Sequence, residues 1–468
     1  MKQITIKQIL YLLLLFLIAF IPLYPKFPLI AVSGTFVAIR VEDFIIAAVF
    51  LIFFIFEIKN YKKYLSNIIF QAFLLFWVIG LVGIFSTNFL THSVMLKLAF
   101  LHWLRRIEYM FPFFIAASSI QKIKNIKIIL ALFLIVDALV LFYGFGQLYL
   151  GFKVVSTVSS DVSGVVTTLS PTGRVNSTFA GHYDLAIFLS FVLIFIVSFF
   201  FYVKKIWQKG VLAILGVVNL VLLGYTAARA SFVAMVFGAL LSLWILKQRL
   251  LMLLLLILSL AIVLAVPSFR SRVIATINVD VLHNVGPTYN PPPAPKPVSQ
   301  KSNLNLEQTQ IASLDAAKIK KLKLPRDIAK GEPTNYTELE VARSSDIRFD
   351  IEWPRAYQAI LINPFLGTGY SSLSLATDND YLRSLGETGI LGTISLILIF
   401  YLLIRVFCKN LKSENIFVKI YLTAILALIV DVLITAFFID VLEASKVAFL
   451  FWIIMGVTYA LCQSFNKE

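Results

Sequence analysis

The sequence predicts an all-α polytopic membrane protein of about twelve transmembrane helices, with one large external loop containing amphipathic helices. Three observations predict it. The 468-residue chain is 59% hydrophobic with a mean hydropathy of +0.89. Its apolar runs repeatedly reach about 18 to 22 residues, the length a helix needs to cross a bilayer core. Those runs lack period-2 alternation, and lipid cannot satisfy open backbone groups, so the spans are helices and not barrel strands.

Spans are expected near residues 8–24, 43–58, 67–87, 103–120, 127–149, 183–203, 210–227, 230–246, 249–267, 389–407, 416–438 and 446–463. The first run has no small-residue cleavage site and continues into "PLYPKFPL", so it reads as a retained span. Lys2 and Lys7, then Lys59, Lys62 and Lys63, Lys122, Lys124 and Lys127, Lys204, Lys205 and Lys209, Lys247 and Arg249, and Arg405, Lys409 and Lys412 fall on alternate ends. Every cluster lands inside if both termini are cytoplasmic, which predicts a multi-pass protein of the cytoplasmic membrane. The net charge of +16 is therefore mostly a topology signal and not a nucleic-acid surface. Cys408 and Cys462, the two cysteines, both fall near cytoplasmic span ends, so neither a disulfide nor a Cys-rich metal site is expected.

The chain divides into an N-terminal bundle (1–267), a large external loop (268–388) and a C-terminal bundle (389–468). In the loop, "GPTYNPPPAPKP" predicts an extended polyproline-like strap, followed by a surface segment that ends in a basic patch. Further on, Ile347, Ile351, Tyr357, Ile360 and Leu361 recur at roughly helical spacing, with Arg348 and Arg355 on a polar side. Pro354 predicts a kink or a helix start near that residue. A shorter external loop, 151–182, ends in "GRVNSTFAGHYDLAIFL" and sets Arg174, His182 and Asp184 at the entry of the sixth span. A tight turn, "GYTAARASF", sets Arg229 at the same membrane level.

Three external segments thus each offer an arginine. A guanidinium makes paired hydrogen bonds to phosphate oxygens and keeps its proton, which suits it to gripping a lipid-linked diphosphate. Any one of them could equally snorkel to headgroups or pair with an acid. Glycosyl transfer also needs a base or an acceptor-orienting carboxylate, and "TDNDYLRSLGETGILGT" supplies Asp378 and Asp380 flanking Asn379. The alternative for these acids is Asx-type capping of the following helix. Asp-Asn-Asp is also a metal-binding pattern of nucleotide-sugar transferases, but nucleotide sugars are cytoplasmic and this loop is expected outside; no metal or other cofactor is predicted. His182 is a second proton-transfer candidate, with Asp184 in support. Asp137 and Asp431, near mid-span, keep a flippase or transporter open as an alternative.

These residues resemble the O-antigen ligase and polymerase superfamily. Its motif, His-Asn, nine residues, then Gly-x-x-Gly, is matched by Asn379 and by Gly389 and Gly392, with Asp378 where ligases carry His. "YTAARAS" resembles the family's Ser-Arg-Gly-type turn, with Arg229 as its arginine. "IRFDIEWPRAYQAILINPFLGTG" is similar to its Arg, Trp, Asn-Pro, Gly-x-Gly run, with Arg348 in the arginine position, and "GRVNSTFAGHYDLAIFL" is similar to its upstream segment with Arg174. The resemblance implies metal-independent transfer of a glycan from undecaprenyl diphosphate to a hydroxyl outside the cytoplasmic membrane. Ligases use lipid A core as acceptor and polymerases another lipid-linked repeat, and the Asp378 departure leans to the polymerase branch. The glycines are expected to let neighbouring helices approach closely.

Overall fold

The computed structural model describes residues 6–30, 39–156, 165–169, 173–278, 344–373 and 376–465. The polyproline strap and the basic segment after it lie outside the described residues.

Among the described residues the α-helices are, in chain order, α1 (Ile6–Leu23), α2 (Val41–Glu57), α3 (Tyr61–Leu65), α4 (Ile68–Ser86), α5 (Leu96–Met110), α6 (Pro112–Ser119), α7 (Ile123–Tyr149), α8 (His182–Phe199), α9 (Ile206–Thr226) and α10 (Arg229–Ile245). They continue as α11 (Arg249–Ala265), α12 (Pro267–Thr276), α13 (Trp353–Ile362), α14 (Asp380–Asn410), α15 (Ile416–Thr435) and α16 (Ser445–Phe465). Among the described residues the only sheets are two antiparallel hairpins, Pro28–Ile30 with Ile39–Arg40 and Lys153–Ser156 with Val165–Thr168.

The fold class is as the sequence predicts, and each of the twelve expected spans is helical. By length and composition, however, eight helices among the described residues qualify to cross a membrane, or nine if the bent pair α11–α12 is one span. Both α2 and α10 have 17 residues, roughly 26 Å at 1.5 Å per residue and short of a core of about 30 Å. The run expected at 103–120 breaks between α5 and α6, where Pro112 opens a new helix. A 94° bend separates α11 from α12, with Pro267 in the first turn of α12.

Burial separates centre from rim. In α16, α8 and α15, 89%, 78% and 72% of the apolar window is buried, against 28% in α9, so the first three form the core and α9 faces lipid. The mid-span acids tie neighbouring helices together. Asp137 takes both its bonds from Asn219 of α9 at 2.8 Å, and Asp431 accepts from Ser190 of α8 at 2.8 Å. Each acid thus meets a neutral polar group on a neighbouring helix, the arrangement of an interhelical clamp.

Helix α14 is broken at Gly389 (φ 66°, ψ −170°). The chain from Pro364 to Gly369 is stitched into the break: Ile390 and Leu391 N–H donate to Pro364 and Phe365 carbonyls at 2.8 and 3.2 Å, and Thr368 and Gly369 N–H donate to Gly386 and Glu387 at 2.8 and 3.0 Å. A Cβ on Gly389 would sit 2.4 Å from the Phe365 carbonyl carbon, and one on Gly367 2.4 Å from that of Glu387. The expected helix–helix role of the glycines is therefore corrected. Gly389 admits a backbone loop, and Gly392 makes room for the Thr388 side chain of its own helix.

Candidate functional site

Residues 344–373 and 376–379 close over the end of the bundle where α8 and α14 begin. A π-helix, Ile347–Glu352, runs directly into α13, with Pro354 in its first turn. Proline lacks the N–H that would continue the ladder, and it sits where the wider π turn gives way to α13. The sequence expected a kink or a helix start at this point, and the structure shows the start. The wider π turn aims Arg348 at the mouth of α14.

At that mouth Asp378 holds a left-handed backbone, φ 48°. Its Oδ2 accepts from Nε and Nη2 of Arg348, at 2.9 and 2.8 Å. Asp440, in the turn between α15 and α16, holds the backbone of this loop. Its Oδ2 accepts from Thr377 N–H at 2.8 Å and Asp378 N–H at 3.2 Å, its Oδ1 from Asn379 N–H at 3.2 Å. Arg383, one turn into α14, donates to the same Asp440 at 3.0 Å and lies 3.6 Å from Glu387. Burial raises the Asp378 carboxyl above its ordinary value; Arg348 opposes this and Asp440 adds to it.

Asn379, and neither acid, caps α14: its Oδ1 accepts from Leu382 N–H at 2.9 Å while its Nδ2 donates to Phe437 O at 3.2 Å. Asp380 points elsewhere from Asp378. It accepts from Leu442 N–H at 3.1 Å and lines a small cavity with Arg106, Tyr109, Tyr370 and Ser384. The two acids of the Asp-Asn-Asp run thus serve different partners.

The second wall is the entry of α8. Arg174 Nη1 lies 2.6 Å from His182 Nε2, so that ring nitrogen is the acceptor. Arg348 also bonds the Tyr183 hydroxyl, and the charge of Arg272, from α12, bears on His182. Arg174, Arg272 and Arg348 thus converge on the His182–Tyr183 turn. Arg229 opens α10 at the same end, after left-handed Ala227. Asp184 faces Lys26 at 3.4 Å. Behind it, the buried ammonium of Lys446 donates to the carbonyls of Pro22, Tyr24 and Thr178 at 3.2, 2.6 and 2.8 Å, pinning the base of this wall.

Residues 215–397 match the family model described as O-antigen ligase. The match covers less than half of the chain and supports a relationship to the O-antigen ligase and polymerase superfamily. No curated protein matches it. The O-antigen ligase match runs from within α9 past the break in α14, and so includes Arg229, Arg348, Asp378, Asn379 and Asp380. With it comes an O-antigen ligase or polymerase type of function, a glycosyltransferase-like activity on lipid-linked glycans in a membrane setting.

Several residues of the candidate site escape sequence reasoning. Asp440 is one acid in a short turn, 62 positions from Asp378, and its only sequence signal is its place at the arginine-bearing end of two spans. Arg272 sits in what reads as loop, and Glu352 is masked by the apolar period around it. Glu352 is pushed up to about 8 by burial and by the charges of Asp378 and Asp440, with Arg348 and Arg355 opposing.

Proposed function

We propose that the protein transfers a glycan from undecaprenyl diphosphate to an acceptor hydroxyl on the outer face of the cytoplasmic membrane, and that the acceptor is a second lipid-linked repeat, making it a polymerase. The observation that carries this reading is the Arg348–Asp378 pair, closed at the mouth of a spanning helix and facing a wall that bears Arg174 and Arg272.

In the resting site Arg348 is held by Asp378. A diphosphate offers the guanidinium two more anionic oxygens, so Arg348 turns to it and leaves the carboxylate unpaired. Asp378 then takes the proton of the acceptor hydroxyl. The hydroxyl oxygen bonds to the anomeric carbon, the bond from that carbon to the diphosphate oxygen breaks, and the carrier leaves with the electron pair. Arg229, Arg174 and Arg348 balance the charge that accumulates on it. Neutral His182 orients Arg174 through its ring nitrogen. Asn379 and Asp380 support the site from the cap and the cavity side, and Asp184 through Lys26. Guanidinium groups supply the positive charge, so we propose no metal and expect EDTA to leave the rate unchanged. Asp378, where ligases carry His, favours the polymerase over the alternative of ligation to lipid A core or another acceptor.

Purified protein in vesicles with an undecaprenyl-diphosphate-linked repeat as sole substrate tests this. Chains of more than one repeat are expected. Product only after lipid A core is added would make it a ligase, and no product with either acceptor would overturn the reading.

A further inference from the structure

One side of α13 is polar or buried: Arg355 donates to Leu373 O at 3.5 Å, and Ala356 and Ala359 pack under it. The other side carries an apolar patch. Phe89, Leu90, Leu361, Ile362, Phe365 and Ile394 are 58% to 74% exposed. They come from three stretches of chain, joined by specific bonds. Asn363 donates to Ser86 Oγ at 3.0 Å, Ser93 donates to Thr368 O at 2.6 Å, and Leu391 N–H donates to Phe365 O at 3.2 Å.

The origin of the patch says what covers it. Phe89 and Leu90 lie in the last turns of one candidate span, Ile68–Thr91, and Ile394 in another, Asp380–Asn410. Exposed apolar side chains on spanning helices face lipid. Leu361, Ile362 and Phe365 continue that lipid-facing surface sideways, onto a helix that is too short to span. A helix with one apolar exposed face and an arginine on its other side is built to lie in the plane of an interface.

We infer that α13 and the Phe365 turn are seated in the hydrocarbon edge of the leaflet on the site's side of the membrane, through the patch of Leu361, Ile362, Phe365, Phe89 and Leu90. The patch fixes the depth of Arg348, which lies just upstream on the same helical segment, at the level of lipid headgroups. A substrate held in the membrane by its own lipid meets the guanidinium at that depth. The seating itself stands independently of the glycosyl-transfer reading.

Dye quenching tests it. In a Cys408→Ser background, leaving only the buried Cys462, Leu361→Cys and Phe365→Cys are labelled with an environment-sensitive dye. Each protein is reconstituted into phosphatidylethanolamine–phosphatidylglycerol vesicles, with and without shallow doxyl-labelled phosphatidylcholine. Lipid doxyl groups should quench both labels, and iodide quenching should fall well below that of free dye. Labels quenched by iodide and untouched by doxyl lipid would place the patch in water and overturn the inference. Labels reached by neither would show that protein covers it, and overturn it equally. Neither result would touch the activity measured with lipid-linked substrate, so the two readings fail separately.

Discussion

Replacing Asp378 by Asn separates catalysis from structure at the centre of the site. Asn adopts a left-handed φ as readily as Asp, so the 48° backbone is kept. What is lost is the charge opposite Arg348, whose side chain is 13% exposed while that of Asp378 is 27% exposed. Breaking a fully buried pair costs roughly 3–5 kcal/mol, and an exposed one about 0–1. With a quarter of the carboxylate in water, the structural loss is about 2 kcal/mol, and the amide oxygen still accepts from Arg348. The protein stays folded. Loss of a general base lowers the rate about 10²–10⁴-fold. Initial rates of chain extension in vesicles, read beside thermal unfolding in detergent, give both numbers. The pH profile adds a sign: the base works ionised and burial raises its carboxyl, so wild-type activity falls as pH drops through that raised value, on a limb shifted to the alkaline side of an ordinary aspartate. The variant's residual rate should lack this limb. A rate within about threefold of wild type would refute the assignment of Asp378 as base.

Arg348→Lys keeps the charge and loses the fork, so activity should fall at least about tenfold with little change in unfolding temperature; equal activity removes the diphosphate role. Asp440→Asn withdraws one carboxylate oxygen from the Thr377–Asn379 N–H groups and the charge opposite Arg383, so stability should drop by about 1–3 kcal/mol and activity should fall with it, since Asp378 is then no longer held. Gly389→Ala should abolish recovery of folded protein because the new Cβ meets backbone at a positive φ, whereas Gly210→Ala, with open space around it, should be silent or slightly stabilising. Glu352 should be protonated at neutral pH, among Asp378, Asp440, Arg348 and Arg355; its folded value of about 8 lies above the ordinary 4.5, so its stabilisation is complete below 4.5 and is lost as pH rises through 8. Unfolding temperature measured from pH 5 to 9 should therefore fall less steeply in Glu352→Gln than in wild type.

Hydropathy alone locates the helices, because the membrane fixes their length and polarity. It misplaces their ends where tertiary partners decide. Residues 380–388 are too polar to read as part of a span, and so the sequence starts the helix at Gly389; in the structure Asn379 caps it, while Asp440 holds Arg383 and Arg106 reaches Glu387 and Glu443, making a polar helix entry tolerable. The break at Phe111–Pro112 is hidden for the opposite reason, since apolar residues continue across it. At the site, Arg174, Arg348 and Asp378 are legible from spacing and from their common membrane level. Asp440 is not, because its role is to accept backbone N–H groups from a loop 61 to 63 positions away.

That division also bears on which part of the site would move in the proposed mechanism. The Thr377–Asn379 loop is held by three bonds to Asp440, by the Asn379 cap and by the Asp380 N–H donated to Ala436 O. The loop beneath it is locked into the break of α14. Among the described residues, the restraints on the Arg348 side chain are Asp378 and Tyr183. Its long, flexible stem can exchange one anionic partner for another without moving backbone, whereas moving Asp378 would break the loop's anchorage. On the proposed mechanism, a diphosphate arriving at headgroup depth would draw the arginine and leave the acid in place, so that the proposed base would become available only when the donor is bound. Water alone meets a site in which the carboxylate is already occupied.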